Sequence, residues 1–314
     1  MSETTPPPDS VAERPLPRRT VPQARAVRAN RPPFGLLDAL WLAALMTLAL
    51  VVAARLVGFH SQTSAGLAAA AGTVGALYLL GWKARDRAAG LCAGLLAATS
   101  LPFLHLCAAS PQSALFMLLT VAALFAFVAG SSLAALALAA GATFVRPDGL
   151  GLGLLLVGIS LVQHRRHSVY GAALYFVTVL GAWSAQIALG YSRPPLPVFQ
   201  ATAAGVQVLA APASLLLLWF LMPLFAEISD PIRRARWLPV LLWTILSLGI
   251  VSIYAPASPT AATLPLRAML FALAGGGLSR LLPTLTGEIP RPALRYALAA
   301  LATMALIRLH IRLE

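Results

Sequence analysis

Apolar residues follow one another in long runs from Phe34 almost to the end of the chain, and only short polar stretches separate them. A helix needs about 20 such residues to cross a bilayer. The runs lack the alternation of barrel strands, and an open sheet cannot leave unpaired backbone groups in lipid. The pattern therefore predicts an all-α, polytopic transmembrane helical bundle of about eleven helices, with spans at 36–57, 65–81, 88–106, 112–129, 132–146, 149–162, 169–190, 205–226, 237–254, 266–282 and 296–311.

Residues 1–33 differ from the rest of the chain because they are rich in Pro and Arg and contain almost no apolar run. Such a segment cannot bury enough apolar surface to offset the entropy lost on ordering. The chain is therefore expected to divide into a disordered cytoplasmic tail, residues 1–33, and a multi-helix transmembrane domain, residues 34–314.

The composition agrees with this division. The chain has 314 residues, of which 59% are hydrophobic and 11% charged, and its mean hydropathy is +0.81. Soluble domains carry about 25% charged residues, so a soluble enzyme, a disordered protein and a disulfide scaffold are excluded. The two cysteines, Cys92 and Cys107, lie in apolar surroundings and are expected to be core residues.

The net charge of +13 is best explained by membrane topology. No basic stretch is interleaved with aromatic residues, so no nucleic-acid partner is expected. With the tail inside, 17 of the 23 basic residues fall on the cytoplasmic side of the predicted spans, as the positive-inside rule requires. The chain is therefore expected to be a multi-pass protein of the cell's inner (plasma) membrane, with membrane lipid as a partner.

Asp148 is the one carboxylate, apart from the terminal Glu314, that this topology places on the outer face. It belongs to an Arg-Pro-Asp-Gly element that opens the span at 149–162, and Arg146 is near enough for an ion pair. Ionisable residues at membrane depth indicate function by default. Asp148 is thus a candidate catalytic residue, while a plain turn with a capping Asp is the alternative.

Other polar side chains are predicted at the same face. Arg193, Arg267 and Arg146 are placed to converge on a lipid-linked phosphate, because a guanidinium binds phosphate through two parallel hydrogen bonds. Tyr191 and Gln112 are expected to complete that substrate-binding site. Interfacial snorkelling of the arginines is the alternative.

Residues 88–162 resemble the core of the GT-C superfamily, the polytopic glycosyltransferases that use polyprenyl-phosphate sugars. The likeness lies in the stretches TSLPF, SPQSALF and above all VRPDGL, and it is weaker in LGYSRPPLP and LPLRAML. The resemblance implies that Arg146 and Asp148 belong to an outer cavity and that Arg267 faces a phosphate. It also implies sugar transfer from a polyprenyl-phosphate donor to an acceptor on the outer face.

The sequence departs from the family where a catalytic base is expected. The first outer loop, GFHSQTS, has no carboxylate, so His60 is the candidate substitute base, and a solvated loop histidine without a catalytic role is the alternative. A catalytically inactive accessory or scaffold subunit, bound to a protein partner, is therefore an alternative, and a transporter or lipid flippase is a second one. No cofactor is expected, and a single outer carboxylate argues against a divalent metal, which needs several oxygen ligands.

Overall fold

The computed structural model describes residues 35–57, 61–163, 168–188, 230–253 and 263–286. Across these ranges every regular element is a helix, which confirms the all-α class. The tail 1–33 and the predicted spans 205–226 and 296–311 lie outside the described residues. The ten described helices are α1 (Leu36–Val57), α2 (Ser61–Ala84), α3 (Arg87–Thr99), α4 (Leu101–Ala109), α5 (Pro111–Ala129), α6 (Ser132–Val145), α7 (Gly149–Val162), α8 (Ser168–Ala188), α9 (Pro231–Ile253) and α10 (Leu264–Thr286).

Three of these helices are long and apolar enough to cross a membrane: Ser64–Ala84, Pro111–Ala129 and Arg233–Val251. The pair α3 and α4 forms a fourth if it is one broken span. Four shorter apolar helices stand beside them: Asp38–Val52, Ser132–Val145, Gly149–Val162 and Val169–Gly181. The described part of the chain therefore has the character of a membrane protein, with fewer full-length spans than the eleven predicted.

The predicted span 88–106 is wrong as a single helix. It is broken at Ser100 into α3 and α4, which are bent by 65° relative to each other. Pro102 lies in the first turn of α4. Proline has no backbone N–H to donate to the preceding turn and is well suited to the first turn of a helix, so a new helix begins here after the extended Ser100.

Successive helices from α5 to α8 pack side by side. The turn between α5 and α6 is only Gly130 and Ser131, and Gly130 adopts the left-handed conformation with φ of 97°. That short turn makes α5 and α6 antiparallel neighbours. Helix α10 runs in the opposite direction to α3, since Gly275 meets Ala89 and Ala93 near the start of α3. Phe271, further towards the start of α10, meets Phe103 in the first turn of α4, with ring centroids 5.6 Å apart.

Small residues allow the helix backbones to touch. A Cβ atom added to Gly81 would lie 2.8 Å from the Cα atom of Gly90, and one added to Gly90 would overlap the carbonyl oxygen of Tyr78. Close backbone approach of this kind is how helices associate in lipid, where the hydrophobic effect between them is absent. The glycines at positions 81 and 90 therefore form the close backbone contact between α2 and α3.

A buried carboxylate ties three helices together at one end of the bundle. Asp38, which is 0% exposed, accepts hydrogen bonds from the Tyr78 hydroxyl at 3.1 Å, from Arg87 Nη2 at 2.6 Å and from the Gly35 amide at 2.9 Å. These contacts join α1, α2 and α3. We call this end of the bundle the Asp38 end, and the opposite end, where α6 meets α7, the Asp148 end.

Replacing Gly90 with alanine should destabilise the protein. The added methyl group overlaps the α2 backbone, so the helices must move apart, and overpacking of this kind costs about 1–3 kcal/mol. Thermal unfolding of the purified protein in detergent measures the loss.

The matched control is Gly158→Ala, because Gly158 is an exposed helical glycine on α7 with no atom within 4 Å of the added Cβ. We expect this variant to unfold at the wild-type temperature or above it. Equal melting temperatures for the two variants would show that α2 and α3 are not packed as described.

Candidate functional site

The junction between α6 and α7 consists of Arg146, Pro147 and Asp148. The local backbone explains where their side chains lie. Arg146 ends α6 in an extended conformation, and its amide still donates to the Ala142 carbonyl at 2.9 Å. Pro147 then starts a new turn. Gly149 packs directly on the backbone of α6, where a Cβ atom would come within 2.6 Å of the Ala142 carbonyl carbon. The tight contact holds Arg146 and Asp148 next to each other.

The Arg146 guanidinium is fixed from three sides. Its Nη2 atom is paired with the Asp148 carboxylate, and its Nη1 atom donates to Ser113 Oγ at 3.4 Å. The guanidinium carbon lies 4.9 Å from the centre of the Phe116 ring, within range of a cation–π interaction. The side chains of Arg146 and Asp148 are 11% and 9% exposed. The predicted pairing of these two residues is thus present in the structure.

Gln112 belongs to the same cluster. Its Nε2 atom donates to the Val145 carbonyl at 2.8 Å, which connects the first turn of α5 to the last residue of α6. Ser110, just before α5, donates to Ser113 Oγ at 2.9 Å and so extends the network towards α4. We call Gln112, Ser113, Phe116, Arg146 and Asp148 the RPD cluster.

The depth of the RPD cluster follows from helix length. Helices α6 and α7 have 14 residues each, which span about 21 Å at 1.5 Å per residue. The hydrocarbon layer is about 30 Å thick. If the turn at Gly130 lies at one membrane surface, the cluster is recessed about 9 Å from the other surface. A charge at that depth is costly unless it is paired, which accounts for the ion pair.

Arg267 lies at the same end of the bundle. It stands in the first turn of α10, half-buried, with its amide donating to the Thr263 carbonyl at 3.0 Å. Phe271, one turn further along, contacts Phe103 in α4. Helix α10 therefore begins near α4. The other end of α4 is connected to the RPD cluster through the hydrogen bond from Ser110 to Ser113. His60, Tyr191 and Arg193 lie outside the described residues.

The sequence did not indicate Ser113 and Phe116 as parts of the site. Both face Arg146 only because α5 packs beside α6, a long-range contact that motif spacing does not report. The sequence held one weak indication that these residues share a site with Gln112. All three lie within the first two turns of one helix.

The remaining site predictions concern thiols and metals. Cys92 and Cys107 are buried free thiols, as expected for core residues. In the part of the chain that the structure describes, no three His, Cys, Asp or Glu side chains come together in a way that would hold a metal ion. The absence of a divalent metal remains a prediction.

The chain matches no known family model, and no curated protein is significantly similar to it in sequence. The likeness to the GT-C superfamily therefore rests on the motifs in the sequence alone.

Replacing Arg146 with alanine should destabilise the protein by about 1–3 kcal/mol, because the Asp148 carboxylate would lose its partner in a nearly buried position. The double variant Arg146→Met/Asp148→Leu should recover much of that loss, since it leaves no unpaired charge. A double-mutant cycle with thermal unfolding in detergent measures both effects.

The control is the exposed pair of Arg233 and Asp230, 3.4 Å apart, with side chains 50% and 44% exposed. Exposed pairs contribute about 0.2–1 kcal/mol, so Arg233→Ala should have a small effect. A melting temperature for Arg146→Ala no lower than that of Arg233→Ala would contradict a buried, stabilising pair.

Proposed function

We propose that the chain is a GT-C-like integral membrane protein that binds a polyprenyl-phosphate sugar at the RPD cluster and transfers the sugar to an acceptor on the outer membrane face. The proposal rests mainly on the contacts that hold the Arg146 guanidinium in place. Two of its five N–H donors are engaged by Asp148 and Ser113, and its flat face rests on Phe116. The remaining donors are oriented in advance for an oxyanion.

A recessed guanidinium suits a lipid phosphate. The phosphate of a polyprenyl lipid lies close to the boundary between headgroups and hydrocarbon, and helices α6 and α7 end below that boundary by the length estimate given above. Guanidinium groups bind phosphate in a planar, bidentate manner. Arg267, at the same end of the bundle, supplies a second positive charge for the same anion.

Sugar transfer needs two kinds of help from the protein. The acceptor oxygen forms a bond to the anomeric carbon while the bond from that carbon to the phosphate oxygen breaks, so negative charge develops on the leaving phosphate. Arg146 and Arg267 stabilise that charge. Asp148 orients the acceptor or takes its proton, and it holds Arg146 in position in either case.

The Asp148 end is assigned to the outer face and the N-terminus to the cytoplasm of the inner (plasma) membrane. The turn between α2 and α3, at the opposite end, carries Lys83, Arg85 and Arg87. Basic residues collect in cytoplasmic loops, so this turn supports the assignment.

A second candidate function is a catalytically inactive accessory subunit that retains the fold and binds a protein partner. One observation favours it. Arg146 and Asp148 neutralise each other and are about nine-tenths buried, which is also how a purely structural ion pair is built. Because the chain retains donors on Arg146 and a second arginine at the same end, lipid binding remains the leading proposal.

Native mass spectrometry of the detergent-purified protein tests lipid binding. With undecaprenyl phosphate added, we expect a bound adduct in the wild type and no comparable adduct with undecaprenol, which lacks the phosphate. Arg146→Lys should lose most of the adduct, because an ammonium group cannot replace the planar fork.

Arg233→Lys is the matched control, since Arg233 lies in an exposed pair with Asp230. Its adduct should equal that of the wild type. Equal retention by the Arg146 and Arg233 variants would remove Arg146 from the binding site, and a co-purifying protein subunit without bound lipid would support the accessory role instead.

Asp148→Asn tests catalysis separately from binding. Transfer of labelled mannose or arabinose from the undecaprenyl-phosphate sugar to membrane acceptors should be abolished, while the protein stays folded in membranes. Asp230→Asn, a change of the same type in an exposed ion pair, should transfer sugar at the wild-type rate. Full activity of Asp148→Asn would exclude Asp148 from the mechanism.

A further inference from the structure

Tyr175 of α8 is a buried residue that contacts both α6 and α7. It is 1% exposed, and its ring fills the space that Gly153 of α7 leaves open by having no side chain. A Cβ atom added to Gly153 would overlap the ring and the hydroxyl group of Tyr175. The glycine is therefore what allows the ring to lie directly against the α7 backbone.

The hydroxyl group of Tyr175 reaches α6. It lies 3.3 Å from the hydroxyl oxygen of Thr143. The Thr143 hydroxyl donates its own hydrogen to the Ala139 carbonyl at 2.9 Å, and a hydroxyl group has only one hydrogen to donate. Tyr175 is therefore the donor and Thr143 the acceptor of the hydrogen bond that joins α8 to α6.

Thr143 is the part of α6 on which the α6–α7 junction packs. A Cβ atom added to Gly149, the first residue of α7, would overlap the Thr143 amide nitrogen. Arg146 is tied to the same turn of α6, since its amide donates to the Ala142 carbonyl at 2.9 Å. The contacts of Tyr175 thus lead, through one residue, to both sides of the junction.

A phosphate site on Arg146 needs such a restraint. Because the connection between α6 and α7 is short and carries both charged residues of the RPD cluster, a change in the angle between these helices turns the Arg146 guanidinium. Bidentate binding of a phosphate depends on the direction of the guanidinium, and a binding group has to be held within about 0.5 Å of its productive position. A third helix that is fixed to both α6 and α7 supplies the restraint.

We propose that Tyr175 is a positioning residue of the phosphate site. By filling the space at Gly153 and bonding to Thr143, it fixes the angle between α6 and α7 and so the direction of the Arg146 guanidinium. Tyr175 forms no bond to the phosphate and acts on it only through Arg146. This inference rests on the function proposed above.

Titration of the full-length protein with undecaprenyl phosphate, read by native mass spectrometry in detergent, tests the hydroxyl group. Tyr175→Phe keeps the ring and leaves no unpartnered donor, because Thr143 still donates to Ala139. Its melting temperature should stay within about 2–4 °C of the wild type, whereas its affinity for the lipid should fall about threefold to tenfold, as the loss of one hydrogen bond predicts. Tyr170→Phe is the matched control on the same helix, because Tyr170 is 74% exposed, and it should bind as the wild type does.

Gly153→Ala tests the position of the ring in the same titration. The added methyl group displaces the Tyr175 ring from α7, so the affinity for undecaprenyl phosphate should fall at least as far as in Tyr175→Phe. Gly158→Ala, on an exposed part of the same helix with no atom near the added Cβ, should leave the affinity unchanged. Equal affinities for these two alanine variants would overturn the proposal.

The double variant Tyr175→Phe/Arg146→Lys distinguishes positioning from general packing. If Tyr175 acts through the guanidinium, its substitution should weaken lipid binding no further once the planar fork is lost. A tyrosine that only stabilises the fold would lower the affinity by the same factor in both backgrounds, and that result would overturn its role as a positioning residue.

The outcomes separate this inference from the function on which it rests. A wild-type protein that binds undecaprenyl phosphate, with unchanged affinity in Tyr175→Phe and Gly153→Ala, would overturn the role of Tyr175 alone. A wild-type protein that binds undecaprenyl phosphate no better than undecaprenol would overturn both proposals.

Discussion

The ion pair between Arg146 and Asp148 is the interaction on which the Asp148 end of the bundle depends. Two helices of 14 residues meet there, too short to reach the far side of a hydrocarbon layer of about 30 Å. If both helices lie within that layer, their connection lies in a region where a lone charge would be expelled or neutralised. Pairing with Asp148, the hydrogen bond to Ser113 and the contact with the Phe116 ring together allow an arginine to remain there. The same constraint concentrates polar groups at one depth, which is where the proposed lipid phosphate would meet them.

The rest of the bundle is organised to keep this junction in place. Glycines at positions 81 and 90 bring α2 and α3 into backbone contact, and the buried Asp38 joins α1, α2 and α3 at the opposite end. Helix α5 packs against both α2 and α6. A packed set of helices thus extends from the Asp38 end to the first turn of α5, where Gln112 and Ser113 contact the α6–α7 junction.

Sequence pattern predicted the helices well and their contacts poorly. The spans 36–57 and 149–162 match α1 and α7 residue for residue, because apolar runs bounded by polar or helix-breaking residues determine where a membrane helix begins and ends. The break at Ser100 was missed, since Pro102 interrupts hydrogen bonding without interrupting the apolar run. The Arg146–Asp148 pair was predictable because its partners are two residues apart. Ser113, Phe116 and the donors to Asp38 come from helices distant in sequence, and only packing brings them together.

The most direct measurement is a cryo-electron microscopy map of the protein in lipid nanodiscs with bound undecaprenyl phosphate. We expect density for the phosphate within hydrogen-bonding distance of the Arg146 guanidinium, with the polyprenyl chain leaving towards the bilayer and the Asp148 carboxylate still on Arg146. A map in which protein closes completely over Arg146 and Asp148, with the phosphate absent or bound elsewhere, would contradict the lipid-binding site and leave the ion pair a role in packing alone.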